Sequence, residues 1–233
     1  MKILSLETSA KSVSAAVTEG EHLLAYSYQS TGLTHSRTLM PMVQALLENA
    51  GLSLEQLDGF AVSSGPGSFT GLRIGISAVK GLSWAAEKPC CGVSTLEAMA
   101  QPLAHMSGLI ICAMDARRQQ IYNALFSSDG KNLQRLCPDR AIALEDLLHD
   151  IKNLPENKII VGDGAQLCYT FLQEHGFICR MAPKPLRMQS AYGVALAAEH
   201  GAWGSAQDLI PHYLRPSQAE RERMERLKQA EES

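Results

Sequence analysis

What most constrains the fold of this chain is an internal repetition. Residues 3–18, ILSLETSAKSVSAAVT, lie over residues 111–126, ICAMDARRQQIYNALF, without a gap. In each copy an apolar strand ends in an acid, a polar turn follows, and a second strand returns. Glu7 falls on Asp115, 108 positions later (115 − 7), with Val13 on Ile121, Ala16 on Ala124 and Val17 on Leu125. The Glu-Gly turn that closes the first copy meets Ser-Asp-Gly one residue later in the second. Two amphipathic hairpins can resemble each other by chance. An acid at the same strand end in both copies favours a true repeat.

The segments around the hairpins extend the pattern. Residues 2–9, 12–20 and 21–29 alternate as a three-stranded meander. HSRTLMPMVQALLENAG reads as a helix closed by Gly51, with Pro41 near its first turn. DGFAVSSGPG is a strand entering a glycine loop, SFTGLRIGISAVKGLSWAAEK a second helix, PCCGVS a buried strand and STLEAMAQPLAHM a third helix. After the second hairpin come ALEDLLHDIKNL (helix), NKIIVGDGA (strand and turn), AQLCYTFLQEHG (helix), FICRMA (strand) and SAYGVALAAEHG (helix). DLIPHYLRPS reads as extended. The polar terminal stretch opens with Ser217 and Glu220 in capping-box spacing. Strands then helices, twice over, predict an α/β protein of the ASKHA type, the duplicated fold of actin, Hsp70 and sugar kinases. The expected lobes are residues 1–104 and 105–215, with a charged C-terminal helix at 216–233 that can return to the first lobe.

Composition narrows the function. With 45% apolar and 19% charged residues among 233, a large core is expected. The start, MKILSLETSA, is too short an apolar stretch for a signal peptide and is interrupted by Glu7, and no run is long enough to span a bilayer. Six cysteines without a CxxC pair fit reduced thiols and a cytoplasmic setting. A net charge of −3 gives no basic footprint for gripping RNA alone. Seven histidines include none at i, i+3 or i+4, so neither HExxH nor HxxxH exists. No GxSxG elbow occurs either.

Two segments carry the candidate sites. In Ser64-Gly65-Pro66-Gly67-Ser68-Phe69-Thr70-Gly71, glycines permit close backbone approach and Ser68 can cap the following helix. Free N–H groups there could hold a phosphate or carboxylate, while a tight ligand-free turn explains the pattern equally well. It is no Walker A loop, since no Gly-Lys-Ser/Thr follows. The acids Glu7 and Asp115 would face an interlobe cleft of such a fold. Together with Thr8, Gly65, Gly67 and Ser68 they would make up a vestigial nucleotide site, while Arg117 and Arg118 beside Asp115 fit a structural ion pair equally well. The second observation concerns the two long helices. The apolar residues of 35–50, including Leu39, Met40, Val43 and Leu47, cover roughly 220° of the circumference, against the ~100° a surface helix needs. Residues 70–87 are apolar or small around Gly71, Gly75, Ala78, Val79 and Leu82, with polar Arg73, Lys80 and Glu87 confined to one stripe. Either another helix of the same chain or a partner subunit must cover the excess.

ILSLETS, SSGPGSFTGLRIGISAVKGL, KPCCGVSTLEAMAQ, MDARRQQIY, VGDGA and PHYLRP, in this order over nearly the whole chain, together resemble the TsaB family, also called YeaZ. The resemblance implies an ASKHA-fold partner of TsaD. With the ATPase TsaE, these proteins make threonylcarbamoyl-adenosine beside the tRNA anticodon from the adenylate produced by TsaC. TsaD carries a similar glycine loop and helix, then a segment resembling GVNHLEGH whose two histidines bind the catalytic metal. The matching positions here are Thr95 and Met99, poor ligands for such a cation. The resemblance therefore implies no catalytic residues, no metal and no cofactor of its own, with nucleotide (ATP or ADP) bound only in the assembled complex. It argues against a glycoprotease. It implies contact with TsaD, or with a second copy, through the helices at 35–50 and 70–87, and contact with tRNA only through the complex. Glu7 departs from the Asp common at this position in the family. Two alternatives remain: a stand-alone nucleotide-dependent enzyme working near Glu7, Gly67 and Asp115, and a glycoprotease-type metallopeptidase, which the missing histidines disfavour.

Overall fold

The computed structural model describes residues 1–154 and 157–216. The expected terminal helix at 216–233, with Ser217 and Glu220, therefore lies almost wholly outside the described residues. Twelve strands and six α-helices are described. The strands are β1 (Lys2–Glu7), β2 (Val13–Glu19), β3 (His22–Gln29), β4 (Gly59–Gly65), β5 (Cys90–Ser94), β6 (Gly108–Asp115), β7 (Gln120–Ser128), β8 (Leu133–Arg135), β9 (Arg140–Ala143), β10 (Lys158–Val161), β11 (Cys179–Met181) and β12 (Trp203–Gly204). The helices are α1 (His35–Ala50), α2 (Phe69–Ala86), α3 (Thr95–Ala100), α4 (Leu144–Ile151), α5 (Ala165–Glu174) and α6 (Ala191–Ala198).

The strands form two sheets, ordered β12-β5-β4-β1-β2-β3 and β11-β10-β6-β7-β8, with β9 also on β7. Leaving out β12 and β9, the two orders superpose: β6 stands for β1, β7 for β2, β8 for β3, β10 for β4 and β11 for β5. The repeat seen in the sequence is thus the seed of a duplicated lobe. Its turn differs in length. Glu7 pairs with Ser14, whereas Asp115 pairs with Ile121 rather than the aligned Tyr122. The second hairpin is one residue tighter, and that difference offsets its register against the first by one residue.

Period-2 strands split their apolar residues between two faces. Leu4, Leu6, Val62 and Phe60 face α1 and α2, packing on Leu39, Val43, Ile76 and Val79. Ile3, Ala61, Cys91 and Val93 face the other way, onto Val194, Ala197 and Ala198 of α6. In the second sheet Ile110, Cys112, Phe126 and Ile159 pack on Leu96 and Met99 of α3, while Ile111, Leu125 and Ile160 pack on α4 and α5. The lobes therefore exchange their third helices. A division at 104/105 leaves α3 on the first lobe's segment although it covers the second sheet. It leaves α6 and β12 on the second segment although both build on the first sheet. Sequence order and packing diverge because α3 and α6 cross in the middle of the molecule. A Cβ on Gly193 would stand 2.0 Å from the Ala98 carbonyl oxygen, so only glycine permits this crossing. Ser5 Oγ donates to the Ala191 carbonyl at 2.7 Å and Ser14 Oγ accepts from the Ala191 N–H at 2.9 Å, fixing the start of α6 on the β1–β2 hairpin.

Local details depart from expectation in two places. Pro41 sits well inside α1 rather than in its first turn, with its ring at the exposed surface. The helix from Thr95 ends at Ala100 and tightens into a 3-10 turn over Gln101–Leu103, where Pro102 has no N–H to continue it. Gly51 closes α1 in the left-handed region, φ 65°, and Ser68 Oγ caps α2 by accepting from the Gly71 N–H at 3.2 Å.

Candidate functional site

Between the lobes lies a cleft of about 340 Å³. One wall is the turn after β1 (Ser9, Ala10, Lys11) and the start of α2 (Gly67, Ser68, Phe69). The other is the end of β6 (Met114–Arg117) with Tyr122 and Asp163. Residues 213–216 close it.

Of the six residues expected to form a vestigial nucleotide site, only Gly67, Ser68 and Asp115 line this cleft. Glu7 does not face it. Its side chain is fully buried, and its carboxylate accepts from the Ser9 N–H at 2.5 Å and from the Ser63 hydroxyl. Burial pushes its pKa up, and these hydrogen bonds only partly oppose the shift. Asp115, at the equivalent strand end, is exposed and accepts from the Arg117 N–H at 2.8 Å. The Glu7 side chain reaches Ser63 on β4, so the two matched acids have opposite surroundings. Thr8 is also buried, and its hydroxyl donates to the Gly71 carbonyl at 2.8 Å.

The glycines expected to admit a ligand admit the chain itself. Gly65 has φ +141° and a Cβ there would stand 2.2 Å from the His212 carbonyl oxygen. A Cβ on Gly67 would stand 2.6 Å from the Ser9 carbonyl oxygen. The Ser68 N–H donates to the Ser9 carbonyl at 2.7 Å, and the Ser68 hydroxyl is used as the helix cap. These groups serve self-packing, which removes most of the phosphate-loop reading.

Sequence reasoning missed Lys11, Asp163, Tyr213 and Arg215, all in the cleft wall. Asp163 could have been found, since the Gly-Asp-Gly turn follows strand β10 just as a loop follows β4. Its carboxyl accepts from Gln189 Nε2 at 2.9 Å, and burial, together with the nearby Asp115 charge, raises its pKa. Thr95 and Met99, the two positions that the family resemblance sets against metal-binding histidines, are buried, Met99 within the second core. Among the described residues no cluster of three His, Cys, Asp or Glu side chains is placed to hold a metal.

The expected partner face also needs correction. Leu39, Val43, Leu47, Gly71, Gly75, Val79 and Leu82 are buried in the chain's own first core, because the sheet beneath takes the inner side of both helices. Ala78 is half-buried and Met40 is 44% exposed. The uncovered apolar surface lies one helix face away. Trp84 is 60% exposed, and Ala45, Gly81 and Ala85 are exposed. A groove of about 460 Å³ between α1, α2 and the 54–56 turn is lined by Met40, Pro41, Leu52 and Leu54, and the expected Val43, Leu47 and Leu82 also reach its lining. The arc of apolar residues on each helix was visible in the sequence. Which part of it the sheet would take was not.

Two duplicated mixed sheets, each layered with helices and separated by a cleft, define an ASKHA-type protein. The activator of the 2-hydroxyisocaproyl-CoA dehydratase from Clostridium difficile shares this fold, with a TM-score of 0.50 at 13% identity over 85% of this chain and 95% of that one. Nearer likenesses are more specific. A family model described as TsaD, tRNA N6-adenosine threonylcarbamoyltransferase, matches residues 29–221. The tRNA threonylcarbamoyladenosine biosynthesis protein TsaB of Bacillus subtilis is 31% identical over 94% of this chain and 96% of its own length. A Pseudomonas aeruginosa structure described as similar to peptidase YeaZ superposes with a TM-score of 0.76, at 25% identity over 92% of this chain and 99% of that one. The chain belongs to the TsaB (YeaZ) family. Among the described residues no helix is long and apolar enough to cross a membrane.

Proposed function

We propose that this chain is a non-catalytic subunit that docks on TsaD through the outward faces of α1 and α2. Family membership ties it to tRNA threonylcarbamoyladenosine biosynthesis. In that reading it is required, with TsaE and the adenylate made by TsaC, for threonylcarbamoylation of the adenosine beside the anticodon. It works in the cytoplasm, and a second copy can occupy the same helices as a homodimer. It meets tRNA through the complex, and it carries no metal or cofactor of its own. ATP or ADP belongs to the assembled complex.

The observation that carries this reading is the exposed apolar strip on α1 and α2. Trp84 and Met40 stand in solvent beside small residues that let another helix approach closely. A buried Glu7 and glycines filled by the chain's own backbone support a non-catalytic role. A second reading, a nucleotide-dependent enzyme acting alone, is favoured by Asp115 and Asp163 on the cleft wall. Gel filtration of this protein mixed with TsaD separates the two. Co-elution lost in a Trp84→Glu variant supports docking. Unchanged co-elution of that variant removes the face from consideration, and tight ATP binding by the isolated chain supports the second reading.

A further inference from the structure

Residues 209–216 pass from the first core, at Leu209, to the interlobe cleft, which residues 213–216 line, and three motifs that are far apart in sequence meet on them. Leu209 is buried in the first core. The His212 N–H donates to the Ser64 carbonyl at 2.7 Å, in the space that Gly65 leaves open. The Tyr213 ring stacks on Phe69, centroids 4.3 Å apart and planes 22° apart. Its hydroxyl accepts from Arg73 Nε at 3.0 Å, while the Arg73 guanidinium lies 3.9 Å above the Phe69 ring. All of these anchors belong to the first lobe. Among the described residues the hydrogen bond to the second lobe is made by Arg215, whose Nη1 donates to the Ala116 carbonyl at 2.9 Å. Leu214 lines two cavities, the 340 Å³ cleft described above and another of about 390 Å³ bounded by Pro66, Arg135, Asp139 and His212.

We infer that residues 209–216 are a latch that occupies the interlobe cleft, rooted on the first lobe by Tyr213 and hooked to the second by Arg215. The physical asymmetry supports this. The root combines a stacked aromatic pair, a cation over a ring and a backbone hydrogen bond. The hook is one charge-assisted hydrogen bond to a carbonyl that can be satisfied equally by water. The hook is therefore the element that releases first. With Leu214 drawn aside, the two cavities it separates join into one opening between the lobes. The latch also touches the first turn of α2 through Phe69 and Arg73, so its state is mechanically tied to that helix. The inference rests on contacts within this chain and stands whether or not TsaD is its partner.

Hydrogen exchange of the full chain, read by mass spectrometry, tests it in wild type, Arg215→Gln and Arg215→Lys. In Arg215→Gln the cleft-lining segments of both lobes, 8–11, 67–72 and 114–120, are expected to exchange about tenfold faster or more, with β10 and α5 unchanged. Arg215→Lys can still donate to the Ala116 carbonyl and is expected to stay near wild type. Faster exchange confined to 209–216, or none at all, overturns the latch. Should β10 and α5 lose protection too, Tyr213→Ala, which frees the rooted end, carries the same expectation and the same refutation.

Discussion

The Ser63 hydroxyl donates to the carboxylate of Glu7 within the buried end of the first sheet, where the matched acid of the second sheet, Asp115, is open to solvent. Burial raises the pKa of Glu7 above its ordinary value of 4.5. A group with a raised native pKa favours folding in its protonated form. That contribution is present below about pH 4.5 and is lost as pH rises through the raised native value.

Glu7→Gln should remove this dependence, since an amide oxygen can still accept from the Ser9 N–H and the Ser63 hydroxyl can turn to accept from the amide. Urea unfolding of both proteins at pH 5, 6, 7 and 8 checks it. The stability of the variant relative to wild type is expected to climb with pH and then level off. Parallel pH profiles would contradict the burial argument. Asp163, also raised by burial, contributes equally to both proteins and cancels in the comparison.

A charge placed on α2 should act differently on its two faces. Gly75→Asp pushes a Cβ to within 2.3 Å of Thr8 Oγ1 and 3.0 Å of Val62 Cγ2, and buries a carboxylate. It should destabilise the chain by about 3 kcal/mol or more. Gly81→Asp meets nothing within 4 Å, and Trp84 is 60% exposed. Gly81→Asp and Trp84→Glu should leave thermal unfolding within about 0.5 kcal/mol of wild type. Each should weaken TsaD binding at least tenfold, about 1.4 kcal/mol. Calorimetric titration and thermal unfolding on the same samples separate the two effects.

The exchange of α3 and α6 between lobes depends on Gly193. Adding one methyl there puts a Cβ 2.0 Å from the Ala98 carbonyl oxygen and 3.3 Å from Pro102 Cγ. Gly193→Ala should cost about 1–3 kcal/mol despite the better helix propensity of alanine. Gly176→Ala, at φ +78° with open space around it, should cost about 1 kcal/mol from backbone strain alone. Equilibrium denaturation of the two variants tests whether the crossing or the backbone sets the larger cost.

Local periodicity was enough to place most of the strands, to bracket the helices and to find the repeat, because hairpins and amphipathic helices are written in adjacent residues. It missed β8, β9 and β12, short strands of three, four and two residues that owe their pairing to neighbours already in place. It assigned Glu7 to the cleft because the repeat fixes the strand end and not the rotamer of a longer side chain. It assigned Leu39 and Val79 to a partner because an apolar arc does not say which part the sheet beneath will cover. The latch contacts were hidden for the same reason. Arg215 and Ala116 are 99 residues apart, and only the closed fold brings them together.

The most direct test of the partner role is threonylcarbamoyl-adenosine formation on tRNA in a reconstituted mixture of TsaC, TsaD and TsaE, with this protein added or left out. Product should appear only when it is present, none should form with this protein alone, and Trp84→Glu should lower the yield at limiting concentrations. Equal product without the protein would contradict the subunit reading, and the cleft between Asp115 and Asp163 would then be the place to look for turnover.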